Sequence, residues 1–321
     1  MLSPAQALAA LMQQHLGTGV TPDSLQLIAS GASGRCIMRS THPEAEGLLG
    51  IYWTADRADN AAFVPAARCL AAAGLNVPAL LATADYGEGR GACLVQDLGK
   101  TDILSLREAP WDIRRAAYKQ ALEAVLPLHS LQPEMELQLP FDAAMYRWEQ
   151  GYFAEHLLGR HLGKDAAAFT AHASMQRMAE MLSALPRVPV HRDFQSQNVM
   201  LHAGKAWLID FQGMRYGRAE YDLASLVYDP YMDLSETESE ELISLYEELS
   251  GKPLDTEIFC ASAMQRLMQA LGAFANIGHN QHREWYLSLI PTGLRKLRQI
   301  AARVPAGSPT ADAAQWLLTV I

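Results

Sequence analysis

Residues Val190-His191-Arg192-Asp193-Phe194-Gln195-Ser196-Gln197-Asn198 run directly into Val199-Met200-Leu201-His202, a turn at Gly204, and Ala206-Trp207-Leu208-Ile209-Asp210-Phe211-Gln212. The apolar runs flanking Gly204 are strand-like and similar in length, which predicts a tight loop feeding a β-hairpin. A turn centred on Gly204 sets position 202 opposite 206 and, by the same count, Asn198 opposite Asp210. Opposed residues in an antiparallel pair have Cβ atoms about 4.5–5.5 Å apart, near enough for two side-chain oxygens to reach one small hard cation. Mg2+ suits such a pair, because it takes one or two protein oxygens and fills its octahedron with water and substrate phosphates. Asp193 precedes this pair on the entering loop, where a carboxylate can accept and orient the proton of an attacking hydroxyl. A buried hairpin with incidental polar residues is the competing reading, and the fixed order of several chemistry-bearing positions weighs against it.

His191, Asp193 and Asn198, followed after a hairpin by Asp210 and Phe211, resemble the catalytic and metal-binding loops of the protein-kinase-like superfamily, with Gln212 where protein kinases have glycine. The resemblance implies an α+β, two-lobed, protein-kinase-like fold: a small antiparallel β-sheet N-lobe over residues 1–98 and a large helical C-lobe over 99–321. It further implies ATP and Mg2+ as cofactors.

Composition agrees with a globular enzyme. Half of the 321 residues are hydrophobic and 19% are charged, enough for a substantial core. A formal charge of −9, with no Lys/Arg block, argues against a nucleic-acid surface. Cys36, Cys69, Cys93 and Cys260 are scattered, no signal peptide is recognisable and no run is long enough to span a membrane, so a cytoplasmic location with reduced thiols is expected. Nothing in the sequence addresses self-association.

Taken in order, the N-terminal segment reads as a capped helix from Ser3 to Leu16. Strands are predicted over 24–29 and 36–40, with Gly31, Ala32, Ser33, Gly34 and Arg35 at the connecting tip. Small residues there let backbone N–H groups approach and cover phosphates. The next strand, Leu48-Leu49-Gly50-Ile51-Tyr52-Trp53, has no lysine where the superfamily usually grips the nucleotide phosphates. One lost charge-assisted hydrogen bond costs roughly 1.5–3 kcal/mol. Arg35 and Arg39 are the nearest substitutes, and each also fits an ordinary surface cation. A helix over 60–73 and strands over 80–86 and 92–96 lead to a hinge-like exit, where adenine is expected to meet the backbone around Gln96 and Leu98. Helical periodicity then covers 111–131, 141–162, 165–185, 221–232, 236–250, 256–274, 284–303 and 310–318. His129 reads as a packed, satisfied histidine. Asp222 reads as a helix cap that also has the reach to brace the catalytic loop.

Within the superfamily the chain resembles the aminoglycoside phosphotransferase and choline kinase branch. Residues 63–78 (FVPAARCLAAAGLNVP), 209–226 (IDFQGMRYGRAEYDLASL) and 264–291 (MQRLMQALGAFANIGHNQHREWYLSLIP) are similar to the anomeric N-acetylmuramate/N-acetylglucosamine kinases of bacterial cell-wall recycling. That subfamily also tends to lack the lysine. The resemblance implies that Asp193 orients a sugar C1 hydroxyl, that Asn198 and Asp210 hold Mg2+, and that the glycine loop covers the phosphates. Candidate sugar contacts are Arg215, Tyr216, Asp229, Tyr231, Gln265 and His279. Arg215 or Arg266 would suit a lactyl carboxylate, although related kinases often carry a small residue at the Arg215 position. Two alternatives stay open. A kinase for an aminoglycoside, choline or homoserine predicts a carboxylate ring drawn from Glu149, Glu155 and Asp229, and the absent lysine admits a nucleotide-binding pseudokinase.

Overall fold

The computed structural model of the chain describes residues 2–17, 19–30 and 34–321. Strands β1 (Leu25–Ser30), β2 (Cys36–Ser40), β3 (Leu48–Trp53), β4 (Leu80–Gly87) and β5 (Arg90–Gln96) form one antiparallel sheet in the order β1-β2-β3-β5-β4. Period-two alternation gives β3 two faces. Leu49 and Ile51 line a cleft on one side, and Leu48 and Tyr52 join the apolar cluster beneath helix α1 (Pro4–Leu16) on the other. The capping box of Ser3 and Gln6 starts α1, and Gly17, at φ 70°, ends it in the left-handed region that glycine enters without penalty. Helix α2 (Phe63–Ala72) follows a 3-10 turn and packs against β4 and the turn after Asp210, with Phe63 at its start stacked on Phe211.

Beyond Gln96 the chain is mostly helical: α3 (Trp111–His129), α4 (Ala143–Phe153), α5 (Ala166–Ala171), α6 (Ala173–Ala184), α7 (Ala219–Val227), α8 (Glu236–Ser250), α9 (Thr256–Asn280), α10 (Ile290–Arg303) and α11 (Ala311–Val320). Two short antiparallel ladders interrupt them, β6 (Val188–Val190) with β9 (Arg215–Gly217) and β7 (Val199–His202) with β8 (Lys205–Leu208). The axis of this half is α9, 25 residues long, started by the Asp255 cap on Ile258 and packed against α4, α7 and α10. Among the described residues no helix is long and apolar enough to cross a membrane.

Several sequence-based expectations change. The hairpin turn is the two-residue pair Ala203-Gly204, with φ of 50° and 75°, and its register sets His202 against Lys205 and Val199 against Leu208. Two left-handed residues match the twist of paired strands, which a loop centred on one glycine does not. Asn198 therefore faces Ile209, whose N–H donates to the Asn198 carbonyl at 3.1 Å, and Asp210 falls one position past the expected pairing. The helix read over 141–162 becomes a π-helical stretch after α4, and the one over 165–185 divides around His172, whose ring stacks on Trp316 at 4.3 Å. The first six residues of the segment 284–303, Glu284–Leu289, are 3-10, α7 stops before Asp229-Pro230, and α9 continues to Asn280. Periodicity cannot detect such breaks, because it survives a change of hydrogen-bond partner within a turn.

Gly272 of α9 lets the backbone of α4 approach closely: a Cβ there would lie 2.9 Å from Tyr152 Cδ1 and 3.1 Å from Phe153 Cα. Gly272→Val is expected to destabilise the fold by about 1–3 kcal/mol through overpacking, read as a fall of several degrees in melting temperature; an unchanged melt would contradict this packing.

Candidate active site

The loop between β6 and β7 is pinned at both ends by buried carboxylates. Asp222 of α7, fully buried, accepts the N–H of His191 at 2.7 Å and of Arg192 at 2.8 Å, and the His129 Nε2 lies 3.1 Å from the same carboxylate. No side chain caps the N-terminus of α7, where Arg218 holds the cap position. Asp222 is thus a brace, and the capping role read from the sequence is not the one it plays. Asp229, also buried, accepts the Ser196 N–H at 2.9 Å, the Ser196 hydroxyl at 2.5 Å and the Tyr231 N–H at 3.0 Å. Burial raises the Asp229 carboxyl above its ordinary range, and the hydrogen bonds from Ser196 oppose that shift.

Between these pegs Arg192 adopts φ 76°, a left-handed conformation that costs a non-glycine residue roughly 1–3 kcal/mol and persists only where the surroundings enforce it. It turns Asp193 toward the cleft, where the carboxylate lies 3.7 Å from Arg192 Nη1 and 4.0 Å from Arg266 Nη2. Arg266 is itself clamped, donating to Ser225 Oγ at 2.6 Å, Gln269 Oε1 at 2.5 Å and Gln195 Oε1 at 3.3 Å. Asn198 donates through Nδ2 to the Asp193 carbonyl at 2.8 Å, so its Oδ1 is not spent on that contact. His191 Nε2 donates to the Ile209 carbonyl at 2.9 Å and so ties the loop to the residue before Asp210.

Asp210 has φ 64°, and the bend returns its side chain to the cleft despite the shifted register. Its Oδ1 accepts from the Gln212 amide at 3.0 Å and from the Arg35 guanidinium. Burial alone would raise this carboxyl, and the Arg35 charge with the Gln212 hydrogen bond brings it below the usual range. An amide oxygen and an ionised carboxylate on one wall form the small, hard donor set that Mg2+ accepts. Among the described residues no group of three or more His, Cys, Asp or Glu side chains gathers as a tighter metal cage would need.

Asp193, Asn198, Asp210, Arg35, Gln96, Leu98 and Tyr231 all line one cleft of about 660 Å³ between the sheet and the helices. Its sheet end is apolar, walled by Ile37, Leu49, Ile51, Val95, Met200 and Ile209. After β5 the Leu98 carbonyl accepts from His202 Nδ1 at 3.1 Å, and Arg39 pairs with Asp97 and is absent from the cleft lining. Arg35 is buried within the cleft wall, not displayed as a surface cation. Gly34, at φ 71°, borders Asp56; Gly31, Ala32 and Ser33 lie outside the described residues.

The other proposed sugar contacts fall elsewhere. Arg215 lies buried 5.1 Å from the Phe141 ring centroid, Tyr216 is exposed on β9, and His279 meets His161 at 3.0 Å on the far side of α9. Gln265 is fully buried and donates to Glu149 Oε2 at 2.9 Å and to the Tyr146 carbonyl at 3.0 Å. With Asp229 under the loop, these five residues are absent from the cleft lining. The helical end is instead lined by Trp148, Tyr152, Asn276, Arg283 and Tyr286, together with Arg266. Trp148 is 55% exposed and stacks on Tyr152 at 5.3 Å and 13°, and Asn276 Nδ2 donates to the Tyr152 hydroxyl at 2.8 Å. The Trp148/Tyr152 spacing of four is visible in the sequence as one helix face, Gln212 shows there only as a replacement for the superfamily's glycine, and Arg283 leaves no signal of its own.

A family profile described as the phosphotransferase enzyme family matches residues 24–257. An N-acetylmuramate/N-acetylglucosamine kinase of Pseudomonas aeruginosa is 31% identical over 257 residues, covering 76% of this chain and 74% of that protein. A kinase of the same name from Neisseria meningitidis serogroup B is 28% identical over 250 residues, covering 73% of each. Among solved structures, a choline/ethanolamine kinase family protein from Mesorhizobium loti superposes with a TM-score of 0.61 at 15% identity, over 92% of each chain. An aminoglycoside phosphotransferase from Streptomyces rimosus, in complex with ADP and streptomycin, gives a TM-score of 0.58 at 16% identity, over 84% of this chain and 99% of the other. Both are similar in fold, which is protein-kinase-like.

Asp222→Ala strands two backbone N–H groups and releases Arg192 from its bend. Each unsatisfied buried donor costs about 1–3 kcal/mol, so urea unfolding is expected to show a loss of roughly 2–5 kcal/mol; a loss below about 0.5 kcal/mol, the ordinary surface value, would contradict the bracing role.

Proposed function

Because the chain belongs to the phosphotransferase enzyme family, we propose that it is an ATP- and Mg2+-dependent kinase for the anomeric C1 hydroxyl of N-acetylmuramate, N-acetylglucosamine or both. This is a reaction of cell-wall sugar recycling, placed in the cytoplasm where ATP and reduced thiols are found. Residues 1–98 contribute the nucleotide-binding sheet, and residues 99–321 the catalytic loop, the metal site and the substrate pocket.

The observation that carries this reading is the character of the cleft around Asp193. Arg192, Arg266 and Arg283 line it together with the exposed face of Trp148. A flat aromatic face suits the apolar side of a pyranose, and a fixed guanidinium suits a carboxylate substituent. The three carboxylates read from the sequence as a ring for a cationic acceptor are turned away, and Asp59, which does line the cleft, lies 3.6 Å from the guanidinium of Arg57. Glu149 is buried against Tyr221 and Gln265, Asp229 binds Ser196, and Glu155 is exposed outside the cleft. This speaks against the aminoglycoside and choline alternatives. The joint presence of Asp193, Asn198 and Asp210 on one wall speaks against a pseudokinase.

In the reaction, the apolar slot of Leu49, Val95, Met200 and Ile209 takes the adenine ring, and the backbone near Gln96 and Leu98 meets its polar edge. Asp193 accepts a hydrogen bond from the acceptor hydroxyl, aligns its oxygen with the γ-phosphorus, and takes the proton as the new P–O bond forms and the bond from the γ-phosphorus to the β,γ-bridging oxygen breaks, releasing ADP. Arg192 and Arg266 keep that carboxylate oriented and balance charge as it develops. Asn198 and Asp210 would hold Mg2+, which when bound would supply charge neutralisation of the phosphates.

ADP release with a panel of acceptors tests this reading. N-acetylmuramate or N-acetylglucosamine should support turnover where kanamycin, choline and homoserine do not. Asp193→Ala should lower kcat by about 10²–10⁴, the usual worth of a positioned base. Trp148→Ala should raise the sugar KM by roughly 2- to 10-fold, the worth of one aromatic stack, with the ATP KM unchanged. Turnover confined to amine-bearing acceptors would overturn the sugar assignment.

A further inference from the structure

The cleft face of β3 is entirely apolar, Leu49 and Ile51, so the cation that steadies the nucleotide phosphates must come from another element. We propose that Arg35 is this cation, that Gln212 is its positioning residue, and that in the nucleotide-free protein Arg35 covers the Asp210 carboxylate and keeps divalent metal off it until nucleotide draws the arginine away. The proposal rests on the reading of Asp210 as a metal ligand and of the glycine loop as the phosphate cover.

Arg35 directly follows Gly34 and is 8% exposed. A guanidinium buried to this degree requires partners. Its Nη1 donates to Gln212 Oε1 at 2.8 Å and its Nη2 to Asp210 Oδ1, while Gln212 Nε2 donates to that same oxygen at 3.0 Å. One side-chain amide therefore grips both the cation and the carboxylate. The residue that protein kinases place at this position, glycine, has no side chain to do so. Gln212 is buried, and the ring before it is fixed, since Phe211 stacks on Phe63 of α2 at 5.2 Å and 17°. Arg39, on β2 just after Arg35, is held by Asp97.

An oxygen that already accepts from both Arg35 and Gln212 cannot ligate a cation at full strength while the guanidinium remains. Phosphate offers Arg35 a multiply charged partner that planar guanidinium groups bind well, and Gln212 can keep hold of Nη1 while Nη2 changes partner. Metal and nucleotide then favour each other's binding, and by linkage the coupling is reciprocal. The arrangement would make metal bind weakly alone and tightly with nucleotide.

The test measures Mn2+ binding without nucleotide, by the paramagnetic signal of the free ion, and ADP binding by calorimetry. Arg35→Met should tighten Mn2+ binding about tenfold and weaken ADP roughly 10- to 100-fold, the worth of one charge-assisted hydrogen bond. Arg35→Lys should recover part of the ADP affinity. Gln212→Leu should move both affinities in the same directions as Arg35→Met, and the double variant should be no worse than Arg35→Met alone. A merely structural Gln212 would lower the melting temperature without any gain in Mn2+ affinity, which would remove it from the proposal. Unchanged or weaker Mn2+ binding in Arg35→Met overturns the latch while the metal reading stands, provided ADP–Mn2+ binding is still lost in Asp210→Asn. Mn2+ binding to Arg35→Met that survives added Asp210→Asn overturns both.

Discussion

The hydrogen bonds from His191 and Arg192 to the Asp222 carboxylate are the constraint on which the site depends. They hold Arg192 in a conformation that an arginine avoids, and that bend decides where Asp193 emerges. The other end of the loop is tied by Asp229, which directly follows α7. A single helix and its exit thus fix both ends of the loop. Below it, Tyr221 donates to Glu149, and Gln265 bonds Glu149 on one side and Gln150 on the other, joining α7 to α4 and α9. Burial raises the Glu149 carboxyl, and the Gln265 and Tyr221 hydrogen bonds counter the shift. A buried polar network satisfied in this way specifies one arrangement of its helices, and here the arrangement it specifies is the floor of the active cleft.

The motif and its strands were legible in the sequence because both are local. A loop with acidic and amide residues at fixed offsets, and apolar runs of strand length, need no knowledge of distant residues. The register of the hairpin was not legible in full, since the turn recruits Ala203 into a left-handed conformation normally associated with Gly, Asn or Asp. Asp210 reaches the cleft through its own backbone bend instead of by direct opposition to Asn198. Arg35 and Gln212, far apart in sequence, meet only through tertiary structure.

The acceptor end was the least legible part. On helices buried on several sides, periodicity identifies which residues are apolar, and it does not say which of the remaining polar ones face a cleft and which support it. Asp229 and Gln265 belong to the support, and Arg266, one residue from Gln265, reaches the cleft. Net charge was similarly uninformative at this scale. The chain carries −9 overall, yet several arginines converge on the cleft, because acidic residues concentrate on the outer surface of helices such as α8. Average charge describes solubility and long-range steering, and the local set of side chains governs what the cleft accepts.

The most direct measurement is the phosphorus NMR spectrum of the product formed from ATP, Mg2+ and N-acetylmuramate or N-acetylglucosamine, with coupling used to locate the new ester. The account predicts a sugar 1-phosphate, with phosphorus coupled to the anomeric proton. A phosphate ester on any other hydroxyl, or inorganic phosphate alone, would contradict it.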